Sequence, residues 1–197
     1  MEKTKENNLK LAAIKLAQIY HNEQNHSLHV AKLSISLFDQ FVSLHQLTKE
    51  ERALLETAAI LHDIGWINGQ QKHHKTSCDL IIRSEKLEIS KSHRILIGLI
   101  ARYHRKSLPK DSHPYFCDLD ARSKKTVKIL SAFLRISDGF DRMHQTSIEN
   151  VLVEFSPEKI TLNIKGKNIL LEDIKTGKEK ADLLQNVFKK RILIRQN

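Results

Sequence analysis

The chain has 197 residues, enough for one medium domain with a small appendage and for a core that needs no disulfide staples. Hydrophobic residues make up 40% and charged residues 28%, ordinary for a globular protein, and only 6 Gly and 3 Pro argue against a many-stranded barrel. The formal charge of +10, beside 11 histidines, describes either a field that draws nucleotides, polyphosphate, nucleic acid or acidic partners, or simply a solvated basic surface.

The opening residues 1–8 are polar and charged, with no apolar stretch behind them, so no signal peptide is predicted. Residues 9–20 carry apolar side chains at three- and four-residue spacing and predict a first helix. The polar run 21–25 breaks it, and a second helix is expected over 26–44 with Val30, Leu33, Leu37, Phe38 and Phe41 inward. Thr48 and Glu51 form a capping-box signature for a third helix, which is apolar almost all round, hence central, and ends at His62-Asp63. Gly65 and Gly69 flag a bend. Helices follow over 76–83, 92–103 and 122–141, with a loop at 107–114 between the last two.

The pattern then changes. Strands are predicted over 151–155 and 159–164, a third short strand over 168–171, a helix over 178–188 and a last strand over 191–194. The expected fold is mainly α: a helical bundle over residues 1–145 with a small C-terminal α/β appendage over 146–197. Cys78 and Cys117 lie far apart in no paired motif and read as reduced thiols. No apolar run reaches the roughly 18–20 residues of a membrane span. A cytoplasmic protein is expected.

The chemistry-bearing residues gather at predicted helix ends. His26 starts the second helix, His62-Asp63 closes the third, His73 and His74 sit in the following loop, His104 closes a later helix, and Asp138 lies near the end of the last long one. Imidazole with carboxylate suits a borderline divalent ion, and the lack of thiolates argues against a structural zinc finger. A carboxylate such as Asp63 has two oxygens and can bridge two ions; ions about 3.5–4 Å apart can grip phosphate oxygens and activate a water. Each piece alone is weak, because a histidine at a helix C-terminus often only satisfies free carbonyls. The ordered set carries the argument.

That order resembles the HD phosphohydrolase superfamily. His62-Asp63-Ile64-Gly65, Lys72-His73-His74-Lys75, residues 101–107 and residues 134–142 resemble, more narrowly, the C-terminal HD domain of exopolyphosphatases and guanosine pentaphosphate phosphatases, here free-standing. The resemblance covers nearly the whole chain, including the Lys180-Ala181-Asp182-Leu183-Leu184 segment. It implies an HD-domain helical bundle and a metal set of His26, His62, Asp63 and Asp138, with His74 and His104 for a second ion. His26 is taken over His29, and His74 over His73.

The ions would be one or two divalent metals among Mn, Fe, Mg, Ni and Zn. Asp63 would be the bridging catalytic carboxylate, helped by Arg105 and Lys106. Phosphate would meet Lys75, Arg105, Lys106, Arg135 and Arg142, although Arg135 or Arg142 could instead brace Asp138 or Asp141. Trp66 reads as packing or as a base-stacking platform.

The expected function is metal-dependent hydrolysis of a nucleotide, polyphosphate or other phosphate ester. The alternative is a non-catalytic module that binds polyphosphate or an alarmone, or an accessory subunit of a separate actin-like-fold phosphatase. A homodimer is the other partner considered. With 6% aromatics and no basic–aromatic interleaving, nucleic acid is disfavoured.

Overall fold

The computed structural model describes residues 2–20, 23–69 and 71–196. Helix α1 (Glu2–Ile19) turns Ala13, Leu16 and Ala17 inward. The run expected to break it includes His21 and Asn22, which lie outside the described residues. Helix α2 (Gln24–Gln40) buries Val30, Leu33, Leu37 and Phe38 and stops short of the expected residue 44. There the Phe41 N–H bonds the carbonyls of both Leu37 and Phe38, and a single turn, α3 (Val42–His45), follows. The break admits the Phe41 ring to the core, against Phe133, Phe155 and Phe188.

Helix α4 (Lys49–Leu61) starts on the predicted capping box. The Thr48 N–H donates to Glu51 Oε2 at 2.8 Å, and the Glu50 N–H donates to Thr48 Oγ1 at 3.2 Å. Buried on most sides, α4 packs against α1, α2 and the later helices α6 (Lys91–Arg102) and α7 (Ala121–Phe140). After α4 a 3-10 turn spans Ile64–Asn68. Helix α5 (His73–Arg83) then begins three residues ahead of the expected residue 76. The turn lies hard against it: the Gly65 N–H donates to Ser77 Oγ at 2.9 Å, and a Cβ at Gly65 would strike the His73 carbonyl.

In the tail, β1 (Asn150–Phe155) and β2 (Lys159–Lys165) pair antiparallel with Val153 opposite Leu162. Strand β3 (Arg191–Gln196) adds parallel to β2, with Leu162 opposite Ile194. The strand expected over 168–171 does not form; these residues lead into α8 (Leu171–Lys180). The acidic first turn, Glu172 and Asp173, suits a helix N-terminus. Asp173 is also fully buried, accepting from the Met143 N–H at 3.0 Å and the Ser147 hydroxyl at 2.7 Å. The one helix expected over 178–188 is two, α8 and α9 (Asp182–Phe188), parted at Ala181.

This tail docks on the helices. The Gln40 side-chain amide donates to the Val151 carbonyl at 2.8 Å and accepts from the Val153 N–H at 2.9 Å, closing the open edge of β1. Helices α7 and α8 meet glycine to glycine: a Cβ on Gly139 would lie 3.0 Å from the Gly177 Cα. That approach carries the end of α8 over the end of α7. No helix among the described residues is long and apolar enough to cross a membrane.

Burial alone would raise the Glu51 pKa, but hydrogen bonds from the Thr48 side chain and backbone hold it below the ordinary carboxylate value. A depressed folded-state pKa stabilises above the unfolded value, and that contribution disappears as pH falls through the folded-state value. Thr48→Ala should therefore cost about 1 kcal/mol at neutral pH. The stability gap between wild type and Glu51→Gln, read by urea unfolding, should close as pH is lowered through the acid range. A gap unchanged down to the acid limit of folding would count against the capping role.

Candidate metal centre

Helix ends deliver every side chain of the site. His26 stands in the first turn of α2, His62 caps α4, His73 opens α5, His104 follows α6, and Asp138 lies in the last turn of α7. All five are buried, as is Asp63. Helix C-termini leave carbonyls without intrahelical partners. His62 and His104 use this: each Nδ1–H donates to the carbonyl three residues back, Ala59 and Ala101 respectively, at 2.7 Å. Both rings are thereby fixed in orientation, with Nε2 left to face the carboxylates. His26 is oriented by charge instead. Its Nδ1 bonds Asp141 Oδ2 at 2.8 Å, and Asp141, fully buried, also accepts the Thr146 N–H at 2.7 Å.

Asp63 sits between two pairs of imidazoles. Its Oδ2 lies 3.6 Å from His62 Nε2 and 4.0 Å from His26 Nε2. Its Oδ1 lies 3.1 Å from His73 Nε2 and 3.5 Å from His104 Nε2. Asp138 Oδ1 faces the first pair, 3.5 Å from His26 Nε2 and 3.6 Å from His62 Nε2. Two groups could thus each hold a metal ion: His26, His62 and Asp138, and Asp63, His73 and His104, with ligand atoms in each group within 4.8 Å of one another. The fit to a cation is physical. His26 Nε2 and His62 Nε2 are buried without a hydrogen-bond partner, a cost of about 1–3 kcal/mol apiece that a bound ion removes.

The electrostatics agree. Burial would raise the pKa of Asp63 and Asp138, but His62, His73 and His104 around the first, and Lys180 and the histidines around the second, hold both below the ordinary carboxylate value. Burial would lower that of His26, yet Asp138, Asp141 and Asp63 raise it to about 10. His62 also rises, its burial outweighed by Asp63 and Asp138, whereas burial pushes His104 well down. The centre is a pair of carboxylates with protons held on imidazoles.

Several expectations change. His29 donates Nε2–H to the Ile148 carbonyl at 2.9 Å and lies outside both groups, whereas His26 lies in the first. Of the neighbouring pair, the side chain that reaches Asp63 is His73 rather than the expected His74. Because α5 begins at His73, His74 is turned about 100° around the helix, away from Asp63, and with Lys75 it lines a separate small cavity. Arg135 lines the cleft over the centre, but its guanidinium holds Asp182 at 2.8 and 3.1 Å and the carbonyls of Tyr103 and Lys106, not Asp138 or Asp141. Arg142 lies past the end of α7 and borders the cleft.

The cleft is about 350 Å³, and Arg105, Lys106, Arg142 and Lys180 supply its cations. Arg105 Nη1 lies 3.3 Å from both ring nitrogens of His73.

Sequence reasoning missed the roles of three contributors, Lys180, Asp141 and His144. Lys180, from the tail, pairs its ammonium with Asp138 Oδ2. Asp141 steers His26. His144 stacks on His26 at 3.8 Å and bonds Glu23 at 2.7 Å. Trp66, read from the sequence as packing or a base-stacking platform, lines the cleft and stacks on His73 at 4.8 Å. Of the three missed roles, only that of Asp141, three residues beyond Asp138, carried a local signal.

Two measurements check the centre. Asp141→Asn should weaken divalent-ion affinity about 10–100-fold by calorimetric titration, since it removes the anion that orients a ligand imidazole. Metal binding to wild type at neutral pH should release protons, because His26 is protonated below about 10 and must give up its Nε2 proton. Affinity should therefore rise with pH. Titrations in buffers of different ionisation heat that show no proton release would contradict the assigned ring states.

The arrangement of histidine and aspartate at helix ends, with a docked α/β tail, agrees with a comparison across known families. The family model described as Ppx/GppA phosphatase, domain III, matches residues 10–187, which is most of the chain. The chain belongs to the Ppx/GppA phosphatase family, as its domain III.

Proposed function

We propose that this chain is a divalent-metal-dependent phosphohydrolase acting on a nucleotide, polyphosphate or other phosphate ester. One observation carries the reading: the two oxygens of Asp63 face different imidazole pairs, His26 with His62 and His73 with His104. A carboxylate so placed suits a bridging role between two ions. In this reading His26, His62 and Asp138 would hold one ion and Asp63, His73 and His104 would hold the other. Such ions supply Lewis-acid chemistry, polarising a phosphoryl oxygen and acidifying water.

The chain's own residues do the rest. Arg105 and Lys106 line the cleft at the end of the α6 segment and offset negative charge on phosphoryl oxygens. Arg142 and Lys180 add positive charge to the same wall. Arg135 acts indirectly: by gripping the Tyr103 and Lys106 carbonyls it fixes the turn that presents Arg105 and Lys106.

One feature favours a second reading, a phosphate-binding module without turnover. The Lys180 ammonium already neutralises Asp138, a carboxylate the first ion needs. Only Oδ2 is taken, and Oδ1 still faces His26 and His62, so the hydrolase reading is preferred.

The test is metal analysis of the purified protein together with hydrolysis of a panel of nucleotides, short polyphosphates and simple phosphate esters, with added Mn, Mg, Fe, Ni or Zn. Wild type should turn over at least one substrate class. Asp63→Ala should fall to background, and Arg105→Ala should lose about 10²-fold in kcat. A protein that retains no ion and is inert throughout would sink the hydrolase reading; tight polyphosphate binding without turnover would install the second.

A further inference from the structure

We infer that the small cavity beside His74 is a second phosphoryl-binding site, separate from the histidine–aspartate centre and independent of any metal. Its ligand is one tetrahedral phosphate group, either free phosphate or a non-reacting phosphoryl of a longer substrate. As to what such a site serves, the inference rests on the phosphohydrolase reading; as to what it binds, it does not.

The cavity is about 80 Å³ and is lined by His74, Lys75, Arg102, Tyr103, Ser107 and His113. Lys75 and Arg102 are cations, His74 and His113 offer imidazole nitrogens, Tyr103 and Ser107 carry hydroxyls, and none of the six is a carboxylate. The space admits a compact oxyanion and excludes a nucleoside. Among the described residues no carboxylate lies within ion-pair distance of Lys75 or Arg102, whereas Arg52, Lys124 and Arg135 elsewhere on the chain each have one.

His74 is only 7% exposed, and its Nδ1 is buried without a hydrogen-bond partner. A buried imidazole nitrogen left unpaired calls for a partner, and His74 is one of the residues that line the cavity. The Tyr103 hydroxyl and His113 Nδ1 share a hydrogen bond of 2.9 Å, which holds both side chains in the cavity wall. His74 and Lys75 also belong to the first turn of α5, an eleven-residue helix whose N-terminus has no capping side chain and no acidic residue. Its dipole adds to the same field. Burial, and after it the charges of Arg102, Lys110 and Lys75, lower the pKa of His113.

The cavity and the cleft lie on either side of one turn. Tyr103 and Ser107 line the cavity, while His104, Arg105 and Lys106 between them line the cleft. The His74 and His104 rings are 6.4 Å apart. A substrate with linked phosphoryl groups can place one at the centre and another here. This gives His74 and Lys75 a role that the metal set denies them.

The experiment uses the full chain stripped of metal with EDTA and titrated calorimetrically with inorganic phosphate and then with tripolyphosphate. Wild type should bind phosphate at millimolar concentration or better, and Asp63→Ala should bind it equally well. Lys75→Gln and His113→Gln should each weaken binding by about tenfold, the loss of one charged or polar hydrogen bond. Lys75 is exposed, so its variant should keep the wild-type melting temperature even if His113→Gln does not. Equal affinity for the two ligands would assign free phosphate. Tighter binding of tripolyphosphate that Lys75→Gln abolishes would assign a non-reacting phosphoryl. Phosphate binding that vanishes in Asp63→Ala and is untouched by Lys75→Gln and His113→Gln, or no binding at all, would overturn the site. Loss of turnover alone would bear on the hydrolase reading and leave this one standing.

Discussion

The whole centre depends on holding the Asp63 carboxylate, ionised and almost out of water, where four imidazoles can reach it. A buried carboxylate without compensation costs several kcal/mol. Here His62, His73 and His104 surround it, and the second carboxylate, Asp138, is matched by His26 and by the Lys180 ammonium. The helical framework can be understood as the means of bringing these charges together: α4 ends one residue before His62-Asp63, and α2, α5, α6 and α7 each contribute from a terminus.

Helix termini are a suitable place for such chemistry because their backbone groups need partners. The last carbonyls of α4 and α6 fix the rings of His62 and His104 with no other side chain involved. His26, at a helix start, has no free carbonyl to use and takes Asp141 instead. The same need explains why an imidazole at a helix end is so often structural. What distinguishes these histidines is the other nitrogen, which faces a carboxylate.

The tail is part of this arrangement. The close approach of Gly139 and Gly177 lets α8 lie on α7, and only then does Lys180 reach Asp138. Asp182, just beyond, ties down Arg135, and Arg135 in turn holds the turn that carries Arg105 and Lys106. The surplus positive charge of the chain is not spread evenly. Part of it borders the cleft, and part lines the cavity at His74, in both cases facing places where a phosphate could sit.

The sequence determined much of this. Apolar spacing located α1, α2, α4, α6 and α7, the Thr48–Glu51 signature located the start of α4, and alternation located β1 and β2. The ordered histidines and aspartates pointed to a shared centre, because local spacing records which residues end a helix. Tertiary structure alone decided the rest. Whether His73 or His74 faces Asp63 depends on the residue at which α5 begins, and the packing of Gly65 against that helix sets its start. Residues 168–171 form no strand because a buried Asp173, reaching residues 143 and 147 far back in the chain, draws them into the approach to α8. Asp182, which pairs with Arg135, and Lys180, which pairs with Asp138, come from a tail 47 and 42 positions away. Pairings at that range are fixed by how closely two helices can pack, a property that no short window of sequence contains.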